Sequence, residues 1–266
     1  MSALNVLLTH LPAPQVEAQL GALRSLAPTS RFVVCHGGAR AEYERLGEPD
    51  KAFVDDPTLR GEVRTFQSYH VTFEVVHDRW LAREPELDAL YLFEFDHLIL
   101  RPDFELALRE IARRTGAGLL GKGAFVRNGT NEHHYTRFRR DPALLDHVRR
   151  LTVRDDPTRL YGVLACAMWV TRAAVESYLS IDEHPPCYGE LYVPTLLHHL
   201  GHRIVDVDAE SDLYRHLRWT PPYDRRQAEA LRDGGATFVH PVKDPVARER
   251  LLAAAVAELR PVGPTG

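Results

Sequence analysis

Two carboxylates spaced i, i+2 close an apolar run, Tyr91-Leu92-Phe93-Glu94-Phe95-Asp96-His97. Side chains alternate along a strand, so Glu94 and Asp96 point to the same side. In an open parallel sheet the carboxyl ends of the strands open into the ligand crevice. Two hard oxygen ligands there could hold magnesium or manganese and so offset the charge of a diphosphate. A strand that merely runs into a polar loop has the same spacing, so the pair acquires meaning from its surroundings. Phe95 reads as facing the core and His97 as a strand-end histidine. The pairs His133-His134, beside Glu132, and His198-His199 are weaker metal candidates, because adjacent side chains diverge and no third ligand follows at helical spacing. Residues 128–140 read as a polar lid on the acceptor side, with Arg127, Arg137 and Arg139 available to an anionic acceptor or a diphosphate.

The elements that position these acids alternate short apolar runs with longer helical patterns, the signature of βαβ units on a mostly parallel sheet. The class is α/β, with helices flanking a central sheet in a single domain. Strands are predicted at residues 5–9, 31–35, 51–54, 89–93, 163–170, 203–207 and 237–240. The run 89–93 is too apolar for an edge strand. Helices are predicted at 15–25, 66–83, 104–114, 172–179, 191–200, 225–232 and 245–259, several of them closed by glycine. Residues 98–102 are expected to turn outward, and the glycine-rich stretch 121–140 to form a mobile loop over the site. The whole reads as one domain over residues 1–260, with a nucleotide-binding half at 1–100, an acceptor-side half at 101–260 and a disordered tail at 261–266.

A long helix, an apolar strand and then an acid-x-acid resemble the A-type (GT-A) nucleotide-sugar glycosyltransferases, with Glu94 standing where that family's first Asp belongs. The resemblance implies that Asp96 is the principal metal ligand and that Glu94 joins it or reaches the donor ribose or sugar. Gly189-Glu190-Leu191, opening a helix that ends at Gly201, resembles the family's acidic motif, although Gly189 replaces the preceding acid. On that likeness Glu190 is the catalytic base of an inverting reaction. Phe238-Val239-His240-Pro241-Val242-Lys243 matches a late strand end in which His240 completes the metal site and Lys243 meets the diphosphate. The segment 161–172 is similar to the one that makes room for the donor sugar, with Gly162 supplying little bulk and Trp169 a candidate to stack on a sugar face. The topology also makes Thr9, His10 and Asp55 candidate contacts of the base, and Arg64, Gln67 and Ser68 candidate contacts of base, ribose or phosphate. The implied activity is a hexosyltransferase-type reaction using Mn2+ or Mg2+, a nucleotide-diphospho-sugar donor and a hydroxyl-bearing acceptor.

Composition narrows the field. Among 266 residues, 33 basic and 37 acidic side chains give a formal charge of -4, and no long single-sign block suggests a nucleic-acid arm or acidic tail. No window approaches the roughly 18 uninterrupted apolar residues of a membrane span, and residues 1–10 lack the features of a secretion signal. The three cysteines, Cys35, Cys166 and Cys187, are scattered, which fits a reducing cytoplasm. No G-x-G-x-x-G, P-loop or nucleophile elbow is present. A sugar-phosphate nucleotidyltransferase is the main rival, but Thr9-His10-Leu11-Pro12 lacks the glycine-rich basic turn expected after its first strand. A catalytically silent nucleotide-sugar-binding domain of the same fold is the other.

Overall fold

The computed structural model of the protein describes residues 2–55, 69–127, 133–151, 156, 158–185 and 188–259. Its centre is a seven-stranded sheet built from β1 (Ser2–Thr9), β2 (Arg31–His36), β3 (Lys51–Phe53), β4 (Leu87–Glu94), β6 (Leu119–Arg127), β7 (Leu160–Thr171) and β8 (Ile204–Asp206), in the order β3-β2-β1-β4-β7-β6-β8. Four parallel strands, β3 to β4, form one side, and β6 pairs parallel with β8 on the other. Between these two blocks β7 runs antiparallel to both its neighbours. A separate two-stranded ladder joins β5 (Leu98–Ile99) to β9 (Phe238–Val239).

The period-two alternation of the strands divides the core into two layers. Ala3 and Leu7 of β1, with Ala89, Tyr91 and Phe93 of β4, face α1 (Ala13–Leu26), α4 (Phe104–Thr115), α9 (Arg225–Asp233) and α10 (Pro245–Glu258). Leu4, Val6 and Leu8 of β1, with Leu90 and Leu92 of β4, face α3 (His70–Val76), α5 (His133–Arg139), α6 (Pro142–Leu151), α7 (Arg172–Leu179) and α8 (Gly189–His199). The short α2 (Arg40–Arg45) follows β2 at the periphery. Gly116 ends α4 in the left-handed region at φ 65°, where glycine carries no Cβ penalty. Asp244 caps α10 by accepting from the amides of Val246 and Ala247 at 2.8 and 3.0 Å. Among the described residues no helix is long and apolar enough to cross a membrane.

Two expectations are corrected. The stretch taken as a mobile loop from residue 121 begins as β6 and continues, beyond residues outside the description, as α5. Its glycines serve close packing: a Cβ on Gly121 would stand 2.1 Å from Val163 Cγ2, and Gly123 takes φ 62° at an irregularity in the β6–β7 pairing. Residues 98–100, expected to turn outward, are instead fully buried, because β5 pairs with β9. The expected tail at 261–266 lies outside the described residues. Because β-branched Val163 has little rotamer freedom, Gly121→Ala should cost about 1–3 kcal/mol, read as a lower denaturation midpoint in urea at unchanged m-value.

Candidate active site

The site begins with strand geometry. β4 ends at Glu94, after which the chain leaves the sheet, and the β5–β9 ladder sets Leu98 opposite Val239 and Ile99 opposite Phe238. Continued toward the sheet, this ladder brings the turn bearing Asp96 against the segment bearing His240, and the Val242 amide donates to the Asp96 carbonyl at 3.0 Å. Asp96 is 3% exposed and His240 4%. Asp96 Oδ1 lies 3.4 Å from His240 Nε2 and has no hydrogen-bond partner of its own. His240 Nδ1 donates to the Arg218 carbonyl at 2.9 Å, which orients the ring and turns Nε2 toward Asp96. Glu94, Asp96 and His240 each offer a ligand atom, and these atoms lie within 4.8 Å of one another. A buried carboxylate oxygen without a hydrogen-bond partner beside an imidazole nitrogen suits a cation, and the mixed carboxylate and imidazole set suits a divalent one such as Mn2+ or Mg2+.

Electrostatics agree with that geometry. Although the surface of Glu94 is not wholly covered, burial raises its pKa and the neighbouring Asp96 charge raises it further, against the pull of His240 and Lys243. His97 is fully buried, hydrogen-bonded through Nε2 to Tyr91 Oη at 2.8 Å, and burial holds its pKa well below the ordinary range. It is a neutral structural residue behind the site.

Glu190 opens α8 and reaches back to β7. Its Oε1 accepts the Ala165 amide at 3.0 Å, and Tyr188 donates its hydroxyl to Oε2. The Ala165 amide is free to do so because the β6–β7 register jumps from Gly121↔Met168 to Lys122↔Leu164, leaving residues 165–167 without partners on β6. Burial lifts Glu190 to a pKa of about 7; the Glu94 charge adds to the rise, while the Ala165 bond, Arg127 and His240 oppose it. A carboxylate poised near neutrality beside a candidate cation site has the properties of a general base.

The remaining predicted positions divide. Thr9 and His10 line the same cleft of about 130 Å³ as Glu94 and Phe95, and the His10 ring meets Phe95 edge-on at 4.6 Å. Lys243 is exposed on the loop after β9, near enough for its charge to act on Glu94. Asp55 is exposed just past β3, at the same end of the sheet but two strands from β1. Arg64, Gln67 and Ser68 lie outside the described residues. At Gly162 the space expected to admit a sugar is filled by Arg127: a Cβ there would stand 2.2 Å from Arg127 Nε. Arg127 lies over the Phe125 ring, 4.2 Å from its centroid, within electrostatic reach of Glu190. Trp169 is corrected outright, since at 2% exposure it belongs to the core with Tyr91 and Phe93 and presents no face to a sugar.

Sequence reasoning passed over Arg248 and Gln19. Both stand on otherwise apolar helical faces, Arg248 among Ala247, Leu251, Leu252 and Ala255, and Gln19 among Val16, Leu20 and Leu23. A long polar side chain on such a stripe was the available signal.

Fold and site together define an open α/β sheet protein with a candidate carboxylate–histidine cation site and a half-buried glutamate at the carboxyl ends of its parallel strands. No protein-family model and no curated protein matches the chain. Among solved structures, it is similar to a glycosyltransferase involved in the glycosylation of the major capsid of PBCV-1, with 10% identity, a TM-score of 0.41, and coverage of 95% of this chain and 99% of that one. It is also similar to an active-site mutant of LgtC, at 12% identity and TM-score 0.40, covering 94% and 83% of the two chains. A third likeness is to a mannose-1-phosphate geranyltransferase from Thermus thermophilus, at 12% identity and TM-score 0.33 over 78% and 70%.

Because the folded state raises the Glu190 pKa to about 7 from an ordinary 4.5, it binds that proton more tightly than the unfolded chain does. The stability tied to Glu190 is therefore complete below about pH 4.5 and is lost as pH climbs toward 7. Glu190→Gln removes this loss. The variant should melt above the wild type at pH 8, and the gap should close as scans are taken toward pH 4.5.

Proposed function

We propose that the protein transfers a sugar from a nucleoside diphosphate donor to a hydroxyl-bearing acceptor, with inversion at the anomeric carbon. The observation that carries this reading is the meeting of Glu94, Asp96 and His240 with Glu190 at one end of the sheet. Glu94, Asp96 and His240 would hold Mn2+ or Mg2+, which when bound neutralises the charge of the departing diphosphate. Asp96 and His240 are the firmer ligands, because both are buried and aligned, whereas Glu94 stands at the rim and can turn toward the donor ribose or sugar. Lys243 adds a compact positive charge for a phosphate oxygen. Thr9 and His10 border the space for the nucleotide, with Asp55 and the residues beyond it further along the strand ends.

Glu190 accepts the proton of the acceptor hydroxyl. That oxygen forms the new bond to the anomeric carbon as the bond from the same carbon to the diphosphate oxygen breaks, and the nucleoside diphosphate leaves with the bonding electrons. A base with a pKa of about 7 is half ionised at neutral pH yet strong enough to take the proton as the transition state develops. Arg127, within electrostatic reach of Glu190, stabilises its ionised form and stands on the acceptor side.

Thermal shift with a panel of nucleoside diphosphates, each with and without Mn2+, tests the reading. At least one nucleotide should raise the melting temperature only when Mn2+ is present, and Asp96→Ala should abolish that shift. Absence of any metal-linked shift across the panel sinks the proposal. Once a donor is identified, the rate of transfer should rise with pH to a plateau above about 7, and Glu190→Gln should lose at least about a hundredfold in kcat. If Glu190→Gln transfers sugar at the wild-type rate, Glu190 is not the base; if the nucleotide binds but neither protein transfers, the chain is a binding domain.

A further inference from the structure

The loops that carry Asp96 and His240 belong to separate segments of the chain, and the helices behind them make connections that neither loop makes alone. Arg248 of α10 is only 6% exposed, an unusual state for a guanidinium. Its Nη1 donates to the Lys243 carbonyl at 2.7 Å and reaches that of Val242 at 3.4 Å, while Nη2 donates to Gln15 Oε1 of α1 at 3.3 Å. The same guanidinium lies 5.2 Å from the centroid of the Phe95 ring, and Phe95 is the residue between the two acids. Gln19 of α1 holds the other part of that residue, donating from Nε2 to the Phe95 carbonyl at 3.0 Å. Phe95 is thereby fixed by Gln19 through its backbone and by Arg248 and His10 against its ring.

We propose that Arg248 and Gln19 are positioning residues that lock the Phe95–Asp96 turn and the His240–Lys243 loop in the spacing a divalent cation needs. The inference rests on the reading of Glu94, Asp96 and His240 as a cation site. Arg248 supports both sides of that site, the His240 side through two carbonyls and the Asp96 side through the Phe95 ring. Gln19 supports the Asp96 side alone. The guanidinium is suited to this because its planar fork serves several acceptors in fixed directions while one face covers an aromatic ring, which an ammonium cannot reproduce. The sign of the effect separates positioning from simple charge. A cation near a metal site repels the metal, so removal of Arg248 for charge alone would tighten metal binding, whereas loss of a clamp weakens it.

Isothermal titration calorimetry of Mn2+ into wild type, Arg248→Lys, Arg248→Met and Gln19→Met tests the proposal, with the electron paramagnetic resonance spectrum of bound Mn2+ as a second readout. Affinity should fall about tenfold in each variant, as for other residues that orient metal ligands, and the bound-ion spectrum should change. Arg248→Lys keeps the charge and should not rescue. Should Arg248→Met fail to fold, Arg248→Lys and Gln19→Met carry the measurement. An affinity within about twofold of wild type in these two, whatever happens to the melting temperature, overturns the inference, as does tighter binding by Arg248→Met. A wild type that takes up no Mn2+ overturns the cation site itself and the clamp with it, an outcome distinct from variants that match a wild type that binds.

Discussion

Glu94, Asp96 and Glu190 bring three carboxyl groups into one region, where burial and neighbouring negative charge raise the pKa values of Glu94 and Glu190. The fold tolerates this arrangement through graded compensation. Glu190 moves toward neutrality, with a pKa of about 7, and Glu94 shifts in the same direction. Asp96 has a buried guanidinium within electrostatic reach, that of Arg248, and the His240 ring beside it. Such an arrangement favours a ligand carrying positive charge. It also explains why the second ring of residues matters: a cluster that costs free energy to assemble keeps its shape only when the surrounding backbone is held from outside.

The holding is done by helices on one face of the sheet. α1 and α10 pack together behind the Asp96 turn, and their apolar stripes are each interrupted by a long polar side chain, Gln19 and Arg248. Replacing either by leucine would suit the apolar stripe better and leave loop carbonyls without their donors. Gln19 Oε1 itself is buried without a partner, so burial there is not an optimised solution for the helix alone. Stability has been given up locally for the position of the loop, a pattern common where a site must be preorganised.

Much of this was legible in the sequence where one physical rule dominated. The apolar runs of β1, β2 and β4 and the helices with clear periodicity emerge because burial on both faces leaves little choice of residue. Asp96 and His240 were legible because each follows directly on such a run. What escaped depends on contacts between distant segments. β6 was hidden by Gly121 and Gly123, which signal a loop by propensity but here allow Val163 to approach and the chain to kink. Residues 98–100 looked like a turn because their partner, β9, lies far along the chain. Gly162 was read as room for a ligand, yet Arg127 fills it, and no local pattern distinguishes a glycine vacated for a substrate from one vacated for an arginine. Trp169 fell for a related reason: an aromatic on a strand can face either layer, and the β4–β7 register decides which.

That register also explains how one sheet can present both halves of the chemistry. Parallel strands deliver only their carboxyl ends to the ligand crevice, which suits Thr9, Glu94 and the loops that follow them. By running antiparallel, β7 brings its own amino-terminal half to that end, with Ala167 opposite Phe93 and the residues that lack β6 partners just beyond. The Ala165 amide then becomes a fixed donor at the mouth of the crevice, and α8 sets Glu190 against it. A slip of one residue in the β4–β7 pairing would turn every side chain of β7 to the other face and rotate that amide away from Glu190. The buried residues Met168, Trp169 and Val170 oppose such a slip because each is committed to one core layer. The separation between the candidate base and the cation ligands is thus set by packing in the middle of the sheet, some residues away from any group that reacts.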